Sequence, residues 1–337
     1  MDQQISGATP IVAAPLPVSY KDRSGGLIAF GILTILLGCL CALFVPLMLV
    51  GQVTASRTTG AATSFSAIMP VVLMYGCIAI ALVWLGIGSI KARRWARALL
   101  LIFSWSWLAM GVIALAFMAF MIPHTLANLP NSGGGNQPEM PPGAMVVMMV
   151  IIFLIFGVMF VVLPAVWTFF YSSQHVKTTC ETRDPVTRWT DACPLPVLGF
   201  CVWLALGAPM MLIMPLTGQS VTPFFGMFLT GLPAAAFYLA LAGIWSYGAW
   251  SLYHLNQRTW WVMLIAFSLL VLSSILTFAR HDILEMYQLM NYPETQIEQM
   301  RKTGLLVGNR MQWLMAIFML PFLGYLLFIR KFFPRRS

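Results

Sequence analysis

Along the chain, long uniformly apolar runs alternate with short polar breaks. The runs occupy residues 26–50, 68–90, 98–122, 144–170, 197–216, 226–253, 260–279 and 311–329. At about 1.5 Å per helical residue, each is long enough to cross a hydrocarbon core of roughly 30 Å. A membrane β-strand would instead alternate apolar and polar positions over about ten residues. The pattern therefore predicts an all-α membrane protein with eight transmembrane helices.

Composition agrees. Of 337 residues, 60% are hydrophobic and 9% charged, against roughly 45–50% and 25% in soluble domains. So few charges cannot cover a globule in water, and no polar stretch is long enough for a separate soluble domain. The net charge of +9 follows a sidedness rule, since Lys and Arg gather in cytoplasmic loops. With the N-terminus inside, the outer segments hold only Arg57, Arg280, Arg301, Lys302 and Arg310 of the 19 basic residues. Both termini are then cytoplasmic, and the basic excess is no argument for a nucleic-acid partner. Residues 1–24 read as a disordered tail without a cleavable signal.

The chain also repeats itself. Pro46 and the Leu-Met-Leu-Val after it return as Pro209 and Met-Met-Leu-Ile; Phe103-Ser104 returns as Phe267-Ser268; Gly157 corresponds to Gly324. The expected organisation is a first four-helix repeat (25–171), a cytoplasmic connector (172–196), a second repeat (197–331) and a basic tail (332–337). Four spans being even, the two repeats lie parallel, about an axis along the membrane normal.

The eight runs contain no Asp, Glu, Lys, Arg or His. Ion-coupled carriers, pumps and intramembrane proteases need such groups within the membrane, so those classes are disfavoured. The hydroxyls Thr34, Ser104, Ser106, Thr168, Thr230, Ser246, Ser251, Ser268, Ser273, Ser274 and Thr277 are expected to bond carbonyls one turn back or to bridge helices. Small residues, among them Gly111 and Ala242, mark packing seams. Trp95, Trp189, Trp260, Trp261 and Trp313 are expected at the membrane interface.

Polar chemistry concentrates in three places. The turn 91–97 offers Lys91, Arg93, Arg94 and Arg97 to anionic headgroups. The connector gathers His175, Cys180, Glu181, Asp184, Asp191 and Cys193, but Cys180 and Cys193 lack the close ligand pairs of a zinc site; Arg183 and Arg188 are expected to pair with its acids, and no cofactor is implied. The last outer segment reads as two short helices broken near Pro293, with Glu298 and Lys302 spaced for an ion pair. Its Ile283, Met286, Tyr287, Met290, Ile297 and Met300 form a candidate face for an extracytoplasmic or membrane partner, or a lid on the protein's own bundle. No serine-triad, HExxH or P-loop pattern is present, so catalysis is not expected.

Segments 85–97 (LGIGSIKARRWAR), 180–198 (CETRDPVTRWTDACPLPVL) and 291–302 (NYPETQIEQMRK) resemble pieces of an uncharacterised family of bacterial multi-span inner-membrane proteins. The resemblance implies a bacterial cytoplasmic-membrane setting and transfers no functional residue. The reading that follows is a non-enzymatic membrane scaffold or accessory subunit, with the lipid bilayer as one expected partner and another membrane or extracytoplasmic protein as a candidate second. The alternative is a carrier or channel for neutral or lipid-like solutes, its path beside Pro46, Ser104, Pro209 and Ser268.

Overall fold

A computed structural model describes residues 20–59, 65–128, 142–216, 220–290, 292, 294–303 and 310–333. Helices α1 (Ser24–Thr59), α2 (Phe65–Ile90) and α3 (Arg94–Asn128) come first. A long bent helix follows, made of α4 (Pro142–Gly157), a π-helical turn (Val158–Val162) and α5 (Leu163–Ser172). Then come α6 (Gln174–Arg183), α7 (Leu195–Leu216), strands β1 (Val221–Phe224) and β2 (Met227–Thr230), α8 (Gly231–Tyr253) and α9 (Gln257–Phe278). The short α10 (Ile283–Leu289) and α11 (Glu294–Thr303) lead to α12 (Arg310–Ile329). Seven described helices are long and apolar enough to cross a membrane, the bent helix being one of them. The last predicted run, 311–329, coincides with α12. Large apolar side chains such as Leu43, Ile80, Leu154 and Leu232 face outward, the arrangement expected where lipid is the solvent.

Two cores organise the bundle. Leu27, Leu85, Leu100, Trp167, Tyr171, Val176 and Cys180 form the first, and Cys193, Val197, Phe200, Leu252, Trp260, Met263 and Leu326 belong to the second. In the first, α1 and α2 pack through glycine. A Cβ on Gly31 would lie 2.9 Å from the Gly86 carbonyl, and one on Gly38 would lie 3.1 Å from that of Ala79. The pairs 31–86 and 38–79 keep one antiparallel register, seven residues apart on each helix. Without a hydrophobic drive between helices in lipid, such close backbone approach is what joins them.

The π turn has a local cause. Pro164 lacks the amide that would pair with the Phe160 carbonyl in an α-helix; the Leu163 amide bonds Val158 instead. The freed Phe160 carbonyl lies against Gly111 of α3, where any Cβ would collide with it. Gly111 therefore has the seam role expected of it. Ala242 is also buried, whereas Ala236, Ala240 and Gly243 face outward.

The turns after α2 and α8 are built alike, 163 residues apart. Ala92 (φ 50°) and Leu255 (φ 55°) both adopt the left-handed region, which non-glycine residues rarely enter. Ala92 N bonds Ser89 O and Arg93 N bonds Gly88 O; Leu255 N bonds Leu252 O and Asn256 N bonds Ser251 O. Between the flanking helices, Gly88 packs closely on Ala96 in the first turn. The corresponding Ser251 and Thr259 share a 2.6 Å hydrogen bond in the second.

Three local features depart from expectation. Residues 226–230, predicted to open the sixth span, belong to a β-hairpin whose turn residues Phe225 (φ 42°) and Gly226 (φ 94°) are both left-handed, as a two-residue I′ turn requires. The hairpin is held by α9: Ser273 Oγ accepts from Phe225 N at 2.9 Å and Thr277 Oγ1 from Gly226 N at 3.0 Å. Trp260 is 1% exposed and donates to the Leu326 carbonyl, so it ties α9 to α12 rather than anchoring at an interface. Within the connector, 174–183 is helical. The expectations for residues 1–19, for 129–141 in the loop after α3, for the tail beyond 333 and for the side chains of Lys302 and Trp313 lie outside the described residues.

Candidate functional site

The connector closes over the start of α3, with Asp184 at the centre. Asp184 is 2% exposed. Its carboxylate accepts from Arg93 Nη1 at 3.3 Å, Arg188 Nη2 at 3.4 Å and the Arg94 backbone amide at 3.4 Å. A carboxylate at the first amide of a long helix is favoured by the unpaired N–H groups there and by the helix dipole. Arg188 thus pairs as expected. Arg183 instead reaches back to Asp22 at 3.2 Å, which also accepts from Ser24 N and lies before α1. The Ser24 amide, more than the Arg183 charge, holds the Asp22 carboxyl below its usual range. Arg23 N donates to Thr179 Oγ1, so the chain entering α1 is stitched to α6.

Beside this clamp lies a cavity of about 370 Å³, lined by Arg94, Arg97, Lys177, Glu181, Thr190, Asp191, Cys180 and Cys193 among others. Arg94 sits between two acids, 3.6 Å from Glu181 and 3.7 Å from Asp191, and Lys177 lies 3.9 Å from Glu181. Among the described residues no carboxylate comes within 4.0 Å of the Arg97 guanidinium. The four cations of the 91–97 turn therefore divide: Arg94 and Arg97 line the cavity, Arg93 serves Asp184, and Lys91 is exposed.

Burial pushes the Cys180 and Cys193 thiols up to about 11. A neutral thiol is a poor metal ligand and a poor nucleophile. His175 is exposed, and among the described residues no three His, Cys, Asp or Glu side chains converge as metal ligands.

The solute-path and partner-face residues lie apart from the cavity. Ser104 is buried and donates to Leu101 O, while Pro46, Pro209 and Ser268 face outward. None of the four lines the cavity or the apolar groove between α1 and α2 near Gly38 and Ala79. At the hairpin end, Ile283 (4% exposed) and Ile297 (5%) are buried. Met286 and Tyr287 pack with Phe228 against Phe278 and Ile283, whereas Met290 and Met300 are half-buried. Much of this face thus rests on the protein's own bundle.

Three participants were not singled out by sequence. Ser89 is 1% exposed and donates to the Leu27 carbonyl. Its single proton so committed, the 2.7 Å contact with Tyr171 has the phenol donating. This joins α1, α2 and α5 at the connector end. Lys177 and Thr190 complete the cavity. The legible signals were a serine closing an apolar run and the i,i+4 spacing of Lys177 and Glu181. The other expected hydroxyls mostly behave as anticipated: Thr34, Ser106, Thr168, Ser274 and Thr277 each donate to a carbonyl four residues back.

Comparison with known protein families, curated proteins and solved structures found no match. The membrane character stands on the chain's own helices.

Proposed function

We propose that this is a non-enzymatic integral membrane protein, a scaffold or accessory subunit, with eight spans arranged as two parallel four-helix repeats and α12 as the last span. The repeat reading is supported by the paired left-handed turns at Ala92 and Leu255 and their matching hydrogen bonds. The basic residues of the connector and of the 91–97 turn favour a cytoplasmic location for that face, with both termini beside it, in a bacterial inner membrane. The observation that carries the scaffold reading is the distribution of polar groups. They form an ion-paired clamp at one end and a bonded hairpin at the other, and the four residues of the solute path share neither described cavity. A partner would be another membrane or extracytoplasmic protein, meeting the half-buried Met290 and Met300 on the hairpin side.

The test is mass spectrometry of the tagged full-length protein extracted gently from its native membrane. A stoichiometric protein partner that is lost when residues 292–302 are deleted is the expected result. A protein that emerges alone with one reproducible solute would overturn the scaffold reading in favour of a carrier.

A further inference from the structure

Three of the five buried, unpartnered side-chain polar atoms among the described residues surround one cavity: Arg94 Nε, Arg97 Nε and Thr190 Oγ1. Buried polar groups are ordinarily paired, so such a concentration calls for an explanation. Thr190 is 3% exposed and is the one hydroxyl in that set. Elsewhere, buried hydroxyls such as Ser89, Ser104, Thr168, Thr179, Ser251 and Thr277 are bonded.

The charges tell the same story. Three cations face the cavity, Arg94, Arg97 and Lys177, against two carboxylates, Glu181 and Asp191. Both carboxylates are already committed: each faces Arg94, Glu181 also faces Lys177, and Asp191 accepts from the Arg188 amide at 3.0 Å. The nearby Asp184 is held by Arg93, Arg188 and the start of α3. Arg97 is left as a half-buried guanidinium that feels Glu181 and Asp191 only at a distance, with no carboxylate within 4.0 Å among the described residues. A shielded charge of that kind is stable when an opposite charge meets it. Both acids pair directly with Arg94, so the lining keeps one cation in excess over its carboxylates.

We infer that this cavity is a phosphate site, in which Arg97, Lys177 and the Thr190 hydroxyl hold the phosphate group of a lipid headgroup or of a soluble phosphate compound. The three residues offer a planar fork, a point charge and a neutral donor, which together suit a tetrahedral, multiply charged anion. A volume near 370 Å³ admits phosphate with part of the molecule that bears it. The cavity lies where α3 begins, at one end of a membrane-spanning helix, the level at which headgroups meet the protein. The inference stands independently of the scaffold reading, because it uses only this cavity and its position at a helix end.

The test uses the full-length protein, stripped of lipid in a neutral detergent, with thermal unfolding followed by tryptophan fluorescence. One arm titrates inorganic phosphate. The other compares phosphatidylcholine nanodiscs with and without phosphatidic acid. Saturable stabilisation in at least one arm is expected. Arg97→Gln should weaken the apparent affinity about tenfold, and Thr190→Val by several-fold, as the loss of hydrogen bonds to a charged ligand implies. Arg97→Lys should retain part of it. Arg258→Gln, at the matching turn of the other half, should leave it unchanged. Stabilisation by soluble phosphate identifies a soluble ligand, and stabilisation confined to phosphatidic acid identifies a headgroup. Absence of saturable stabilisation in both arms overturns the site, as does full affinity in Thr190→Val or an equal loss in Arg258→Gln. Should Arg97→Gln fail to fold, Thr190→Val and Arg97→Lys give the same reading.

Discussion

Cys180 and Cys193 illustrate how position governs a side chain's chemistry. Both were legible in the sequence as potential ligands, and their spacing argued against zinc. What spacing could not reveal is that both thiols line one cavity and are buried, 1% and 4% exposed. Burial raises each thiol to about 11, so the folded state holds a proton that the unfolded chain releases near 9.0. The resulting contribution to stability is fully present below about pH 9 and is lost as pH rises towards 11. In a variant whose other four cysteines are alanine, iodoacetamide should leave both thiols unmodified near neutral pH until the protein is denatured, and the melting temperature should fall over that alkaline window. Rapid alkylation of the folded protein near neutrality would contradict the burial. Asp184 shows the same dependence on the fold: of its partners only Arg188 was legible in the sequence, whereas Arg93, expected at headgroups, and the Arg94 amide reach it because α3 starts there.

At the scale of elements, the apolar runs were readable because lipid imposes one demand on every residue of a span. The same uniformity hides irregularities. Residues 226–230 are as apolar as the helix they precede, so nothing in their hydropathy distinguished a hairpin strand from the start of a helix; the Phe225-Gly226 turn and the hydroxyls of Ser273 and Thr277 decide it. The glycine seam was similarly concealed. Gly31, Gly38 and Gly86 are scattered among many glycines, and only the antiparallel register of α1 and α2 brings them opposite one another. A Cβ on Gly86 would lie 2.7 Å from the Gly31 carbonyl and 2.5 Å from Ile35 Cγ1. Backbone cannot yield as a flexible side chain can, so Gly86→Val should force the helices apart and destabilise the fold by about 1–3 kcal/mol. Gly51, with open space around its Cβ position, provides the control: Gly51→Val should cost far less. Unfolding in detergent followed by circular dichroism measures both, and equal losses would remove the seam as the reason α1 and α2 pair.

The whole molecule divides where its chemistry concentrates. Each half has its own core, and the connector contributes to both, Val176 and Cys180 to the first and Cys193 to the second. Between them Val186 is 57% exposed and belongs to neither core. The halves are also joined without the connector: Trp203 of α7 donates to Ser106 Oγ of α3 at 2.8 Å. If four-helix repeats are the units of assembly, continuity of the chain at Val186 is dispensable, while the Arg188–Asp184 contact and the α3–α7 packing still hold the pieces together. Two polypeptides, one ending at Val186 and the other beginning at Thr187, should therefore insert and co-purify when expressed together. Losing the tether removes the high effective concentration of one half for the other, so the pair should melt below the intact protein. Ser106→Ala, which removes the acceptor for Trp203, should weaken the pair more visibly than the intact chain. Halves that each insert but never associate would show that the connector's covalent link, rather than the packing of two units, makes this one molecule.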